Sequence, residues 1–218
     1  MLSLAEENYL KTIYHLSDAG KDPVTTNALA ENMNNKAASV TDMIKRLSSK
    51  GVITYEKYHG VNVSPKGKLQ ALMVIRKHRL WETFLVEKLG FPWDKVHEVA
   101  EQLEHIQSSL LIEKLEEFLG YPSVDPHGHP IPDSQGRNKE VQQILLAEWP
   151  DGKKGVVRSV KDGSEVFLQY LSKIGISLGS TIRIIERAAY DGSLEIMINS
   201  KKKIFISREA SQNLLVSE

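Results

Sequence analysis

The hydrophobic period of this chain changes once, and that change limits the architectures open to it. Up to about Leu119 apolar side chains return at helical spacing. From about residue 155 they alternate in short runs, "GVVRSV", "TIRIIERA", "SLEIMIN" and "KIFIS". A helical period cannot sit as a strand, so helical and β-rich parts must segregate along the chain. Between them "GYPSVDPHGHPIPDSQGRN" (120–138) concentrates proline and glycine and reads as a linker or a long ordered loop. One helix, "EVFLQYLSKIG", interrupts the β-rich part, for which a small β-barrel is the expected form. At 218 residues, two or three small domains are expected rather than one, and no internal repeat is present.

The helical part has its own punctuation. "LAEENYLKTIYHL" reads as an amphipathic helix over 4–17, and "AGKDP" breaks it. "TTNALAENM" (25–33) is a short helix capped by Thr25 or Thr26, "NNK" is a turn, and "AASVTDMIKRLSSKG" (37–51) is a helix stopped by Gly51. "VITYEKYHGVNVS" alternates as a hairpin turning at His59–Gly60. Ser64 as N-cap and Pro65 at the first helical position start a helix that runs to about Leu89. After the turn "GFPW" a further helix is expected from Asp94 to about Leu119.

Helix, tight turn, helix and hairpin over 25–63 is the winged helix-turn-helix pattern, whose second helix can enter the major groove of DNA. On that helix Lys36, Lys45, Arg46 and Lys50 oppose only Asp42, so it is locally basic in a neutral chain. Ser39 and Thr41 are small and polar near its start, which suits close approach to bases and phosphates. The same shape also serves in protein interaction, and a basic helix is often a solvated face.

A second pattern concerns cations. As a continuous helix, "KVHEVAEQLEHIQ" places His97, Glu101, Glu104 and His105 at i, i+4, i+7 and i+8, apart from the apolar stripe of Val96, Val99, Ala100, Leu103 and Leu110. The preceding helix sets His78 and Glu82 at i, i+4. Two helices joined by a short turn pack antiparallel, so these polar faces can converge. Converging carboxylates repel and lose hydration unless a cation joins them. Oxygen and imidazole nitrogen without sulfur suit a divalent first-row metal such as Mn²⁺ or Fe²⁺. The competing reading is a solvated charged face.

An enzyme is poorly supported. "HEVAE" (97–101) has Glu101 where a zinc peptidase needs its second histidine, and no Gly-rich phosphate loop or serine elbow is present. Cysteine is absent, which excludes disulfides and thiolate ligands and fits a reducing cytosol. Net charge is zero, so a nucleic acid would have to be met by local basic patches. No signal peptide or membrane span is expected, and the reading is a cytoplasmic protein without a membrane partner. Trp81 and Trp93 are read as packing at the helical hairpin, His15 and His59 as exposed, and His129 as a loop residue.

The order winged helix, "RKHRLWETFLVEKLG", "KVHEVAEQLEHIQSSLLIEKLEEFLG", "DPHGHPIP" and a C-terminal β-domain resembles the diphtheria-toxin-repressor family of metal-dependent transcriptional regulators. The similarity covers nearly the whole chain and points to the three-domain manganese-type branch. It implies a mainly α chain with β: a winged helix-turn-helix domain (1–64), a helical metal-binding and dimerisation domain with linker (65–138), and an SH3-like β-barrel (139–218). It implies a homodimer built on the 94–119 region and a double-stranded DNA operator. It also implies two metal ions per subunit, Mn²⁺ with Fe²⁺ as alternative, in a repressor of metal homeostasis. By the resemblance Lys36, Ala38 and Asp42 match DNA-facing positions, and with Ser39, Thr41, Lys45 and Arg46, read from the helix itself, they are the expected DNA contacts.

By the same resemblance one metal site matches His78, Glu101, Glu104 and His105, with Asn8 from the first helix. A second matches Glu82, Asp125, His127 and Asp162. The iron branch has a different ancillary site, using His78, Glu82, His97 and a Glu/Gln pair. That pair aligns here with Arg158 and Lys161, which cannot ligate a cation. The iron branch also has cysteine where Glu101 stands. Three further departures are notable: Asn8 replaces aspartate or methionine, Asp125 replaces cysteine, and Lys11 stands where two-domain manganese members have glutamate. Two rivals are a winged-helix regulator governed by an organic ligand and a metal-dependent hydrolase.

Overall fold

A computed structural model of the chain describes residues 2–56, 59–139 and 142–218, which form two compact units. The first takes the chain from its start to His78, with Glu101–Ile112 and Pro132–Asn138. The second takes Arg79–Ala100, Glu113–Ile131 and the chain from Lys139 on.

In the first unit α1 (Leu4–Leu16) opens with a reciprocal cap in which Ser3 and Glu6 satisfy each other's backbone N–H. α2 (Thr26–Asn32) is capped by Thr25, whose hydroxyl accepts from the Ala28 N–H. The tight turn to α3 (Ala37–Ser49) passes through Asn34 in the left-handed region, which asparagine tolerates, and Asn35 donates to the Tyr9 hydroxyl of α1. β1 (Ile53–Glu56) and β2 (Gly60–Val63) pair antiparallel as the wing. The expected hairpin turn includes residues 57 and 58, which lie outside the described residues. Ser64 caps α4 (Pro65–Leu89) by accepting from the Gly67 N–H. Gly67 is required by contact, because a Cβ there would meet the Val52 carbonyl oxygen at 1.9 Å. Leu10, Ile13, Leu29, Val40, Ile44, Leu47, Ile53 and Val61 form the buried core. Burial at about 25 cal/mol per Å² of apolar surface holds these helices and the wing as one body.

The helix expected from Asp94 to Leu119 is two helices, α5 (His97–Leu103) and α6 (Ser109–Phe118). Glu104 and His105 turn out of the helix, with the Ile106 N–H donating to Leu103 O. Ser108 then caps α6 by accepting from the Leu111 N–H. The run "QSS" is the local cause, since serine offers its hydroxyl to backbone N–H groups that a continuing helix would pair elsewhere. The even stripe of His97, Glu101, Glu104 and His105 is therefore broken: the first two sit on α5 and the last two in a turn.

The second unit holds a six-stranded antiparallel sheet in the order β3 (Ile144–Leu145), β8 (Leu214–Ser217), β4 (Lys154–Val160), β5 (Thr181–Arg187), β6 (Leu194–Ile198), β7 (Lys202–Ile206). The expected SH3-like β-barrel is roughly SH3-like but not closed: it is a sheet with β3 and β7 at its edges among the described residues. Register shifts at Val157/Ser159 and Ile184/Glu186 mark bulges, and bulges bend a sheet around its core without closing it. α7 (Glu165–Ile174) and α8 (Arg208–Ser211) accompany the sheet. Leu168, Leu171, Ile182, Ile184, Ile196, Leu214 and Val216 are buried together, and Trp93 packs against them while its Nε1–H donates to Ser172 Oγ at 2.9 Å. Trp81 is buried and meets Phe84 edge-on.

Candidate metal centres and nucleic-acid face

In the first unit α1, α4 and the turn after α5 bring a set of charged side chains together. Glu104 is fully buried; its Oε2 lies 2.5 Å from His78 Nδ1 and its Oε1 lies 2.6 Å from Lys11 Nζ. Lys11 also reaches Glu101 Oε1 at 3.6 Å. His105 stands with Nε2 3.6 Å from Glu104 Oε1 and Nδ1 2.6 Å from Glu7 Oε2. Burial pushes the Glu104 carboxyl up, but the His78 hydrogen bond and the Lys11 ammonium outweigh it and hold the group below its ordinary range. Burial likewise pushes the Lys77 ammonium down, with Glu7 and Glu104 opposing.

The sequence-predicted residues His78, Glu101, Glu104 and His105 thus share one cluster. Asn8 is half-buried on α1, immediately after Glu7. Glu7 was not singled out, although it and Lys11 stand at i, i+4 on α1 and so face the same way. Three carboxylates, two imidazoles and no sulfur form a donor set that fits a hard divalent ion.

A second cluster lies in the second unit. Glu82 and Asp125 are buried; Glu82 places Oε2 3.6 Å from His127 Nδ1 and Oε1 3.5 Å from His97 Nδ1. Asp125 Oδ1 accepts the backbone N–H groups of His127 and His129, at 2.8 and 3.0 Å. Its Oδ2 faces His129 Nδ1 at 3.2 Å and Arg79 Nε at 3.5 Å. Burial pushes the His127 imidazole down, but Glu82, with Asp125 and the Trp93 carbonyl, reverses this and raises it above its ordinary value. Asp162 has another setting: its oxygens accept from the Ser164 N–H at 2.8 Å and the Ser164 hydroxyl at 3.0 Å, just before α7. The segment 120–138 is an ordered loop, anchored by the Val160 N–H on His127 O and by the Ile131 N–H on Ser123 O.

The second helix of the helix-turn-helix, α3, buries Val40, Ile44 and Leu47 and leaves Lys36, Ala38, Ser39, Asp42, Lys45 and Arg46 exposed. Thr41 is half-buried, with its hydroxyl on Ala37 O at 2.8 Å, and Lys45 reaches Asp42 at 3.5 Å. Lys50 departs from the basic face that the sequence suggests: its Nζ lies 2.7 Å from Glu6 Oε2 of α1.

Three families of known sequence match this chain in succession. Residues 1–61 match the iron dependent repressor N-terminal DNA binding domain, 64–133 the iron dependent repressor metal binding and dimerisation domain, and 144–218 the FeoA domain. The iron-dependent repressor IdeR of Mycobacterium leprae is 26% identical over 97% of this chain and 96% of its own length. The diphtheria toxin repressor of Corynebacterium efficiens is 30% identical over 82% of each chain. Among solved structures, a manganese-dependent transcriptional repressor in complex with manganese superposes with a TM-score of 0.88 at 34% identity, covering 97% of this chain and 99% of the other.

Proposed function

Because this chain belongs to the diphtheria-toxin-repressor family of metal-dependent transcriptional repressors, we propose that it is a homodimeric repressor whose activating ion is Mn²⁺. Its three domains are residues 1–64, 65–138 and 139–218. The first ion is held by Glu101, Glu104, His78 and His105 with the amide oxygen of Asn8, and the second by Glu82, Asp125 and His127 with Asp162. The observation that carries this reading is the convergence of Glu101, Glu104, His78 and His105 on the Lys11 face of α1.

An ion there joins α1, which packs on the recognition helix, to the segment after α5. In a dimer that connection sets the separation of two recognition helices near the ~34 Å between successive major-groove faces. Lys36, Ala38, Ser39, Thr41, Asp42, Lys45 and Arg46 then face the operator. Mn²⁺ over Fe²⁺ is supported by the carboxylate at Glu101 and the resemblance to a manganese-dependent repressor; raw affinity cannot select it, since Zn²⁺ binds such donors more tightly.

The test uses duplexes enriched from a random pool, with affinity measured at fixed salt in chelator, Mn²⁺, Fe²⁺ and Zn²⁺. Mn²⁺ should tighten binding by about 5- to 150-fold. Glu101→Ala should lose that response, and Glu101→Cys should shift it toward Fe²⁺ or Co²⁺. Equal affinity with and without metal ends the sensor reading; a stronger response to Fe²⁺ ends the choice of Mn²⁺.

A further inference from the structure

We infer that His129 is a ligand of the second ion, completing a site with Glu82, Asp125 and His127. This inference rests on the two-ion reading above and goes beyond it, since the resemblance puts Asp162 there and leaves His129 as a loop residue.

The argument starts from the tautomer. His129 Nε2 lies 2.8 Å from Val160 O, and a carbonyl only accepts, so Nε2 carries the hydrogen. In the neutral ring Nδ1 then keeps its lone pair, aimed at Asp125 Oδ2 at 3.2 Å. His127 repeats the arrangement, with Nε2 2.8 Å from Trp93 O and Nδ1 turned to Glu82 at 3.6 Å. Two imidazoles whose outer N–H groups are anchored on backbone carbonyls, with inner nitrogens facing carboxylates, have the orientation that metal-ligating histidines receive from their outer partners.

A lone pair facing a carboxylate is repulsive unless a proton or a cation lies between. Asp125 spends Oδ1 on two backbone N–H groups, which leaves Oδ2 for that cation. One ligand atom each of Asp125, His127 and His129 lies within 4.8 Å of the others. Bonds of about 2.0–2.2 Å to a single ion close that span with small shifts. The loop cannot drift away, because Gly128 presses on β4 so closely that a Cβ would meet Arg158 O at 1.9 Å. Asp162, which the reading above also places there, has both oxygens on Ser164 and would have to release one to reach the ion. Arg79, at 3.5 Å from Asp125 Oδ2, balances that carboxylate in the absence of the ion.

Calorimetric titration with Mn²⁺ of the full chain and of His129→Gln tests this. The wild type should bind two ions per subunit, and His129→Gln should weaken the second by about tenfold or more while the first is unchanged. In a Glu101→Ala background, which should disable the first site, X-ray absorption of one equivalent of loaded Co²⁺ should read two imidazole nitrogens. That reading is independent of whether His129→Gln perturbs folding. Two ions in the wild type with unchanged second-site affinity in His129→Gln, or a single imidazole at that site, overturns the inference and leaves the two-ion reading standing. One ion in the wild type overturns both.

Discussion

Lys11 places its ammonium on the carboxylates proposed to hold the first ion, 2.6 Å from Glu104 and 3.6 Å from Glu101. A buried carboxylate without a partner is costly, so in metal-free protein this lysine serves as a tethered cation. On the proposed ligand set, an ion would have to displace it. Lys11→Met should therefore destabilise chelated protein by about 3 kcal/mol, because the buried Glu104 loses the ammonium at its Oε1. With saturating Mn²⁺ the loss should shrink, because the ion supplies that charge. Urea unfolding in chelator and in Mn²⁺ checks this, and an equal loss in both refutes the competition. At this scale the sequence exposed the residue types but not their partners. Glu7, which binds His105 and Gln107 at 2.6 and 3.0 Å, drew no notice because both partners lie about a hundred residues along the chain.

Between elements, the ion pair of Glu6 with Lys50 joins α1 to the end of α3. The Lys50 ammonium and the Ser3 N–H hold the Glu6 carboxyl below its ordinary value of 4.5. The folded chain thus binds that proton less tightly than the unfolded chain does. The resulting stability is complete above pH 4.5 and disappears as pH falls through the folded value. Glu6→Gln should lower the urea midpoint near pH 7, and the gap from wild type should close below about pH 4.5. A constant gap across that window contradicts the assignment. The caps at Thr25 and Ser64 were legible in the sequence because capping is a local hydrogen bond. The break between α5 and α6 was not read, although Ser108 signalled it, because the apolar spacing continues across it.

For the whole molecule, coupling between metal and operator has to be reciprocal. If Mn²⁺ tightens DNA binding by ~1–3 kcal/mol, operator DNA must tighten Mn²⁺ binding by the same amount. Manganese titrations followed by EPR, with and without a selected duplex, should give matching factors; a Mn²⁺ affinity indifferent to DNA contradicts the repressor mechanism. The loop that carries Asp125, His127 and His129 is hydrogen-bonded to Val160 of β4, so an ion held there as proposed would be tied to the FeoA-like sheet.

The sequence by itself determined the segregation of helical and β parts, the winged helix with its basic second helix, and the family. Each of these depends on period, caps and motif order, which are local properties of the chain. Tertiary structure decided three further matters. It opened the expected barrel at β3 and β7, because closure depends on long-range pairing that short alternating runs do not encode. It turned Lys50 from the basic face to Glu6, because a flexible side chain goes to the buried opposite charge within reach. It also divided the acidic and histidine residues into clusters with their own cations and carbonyls, because side chains distant in sequence meet only once the cores beneath them have packed.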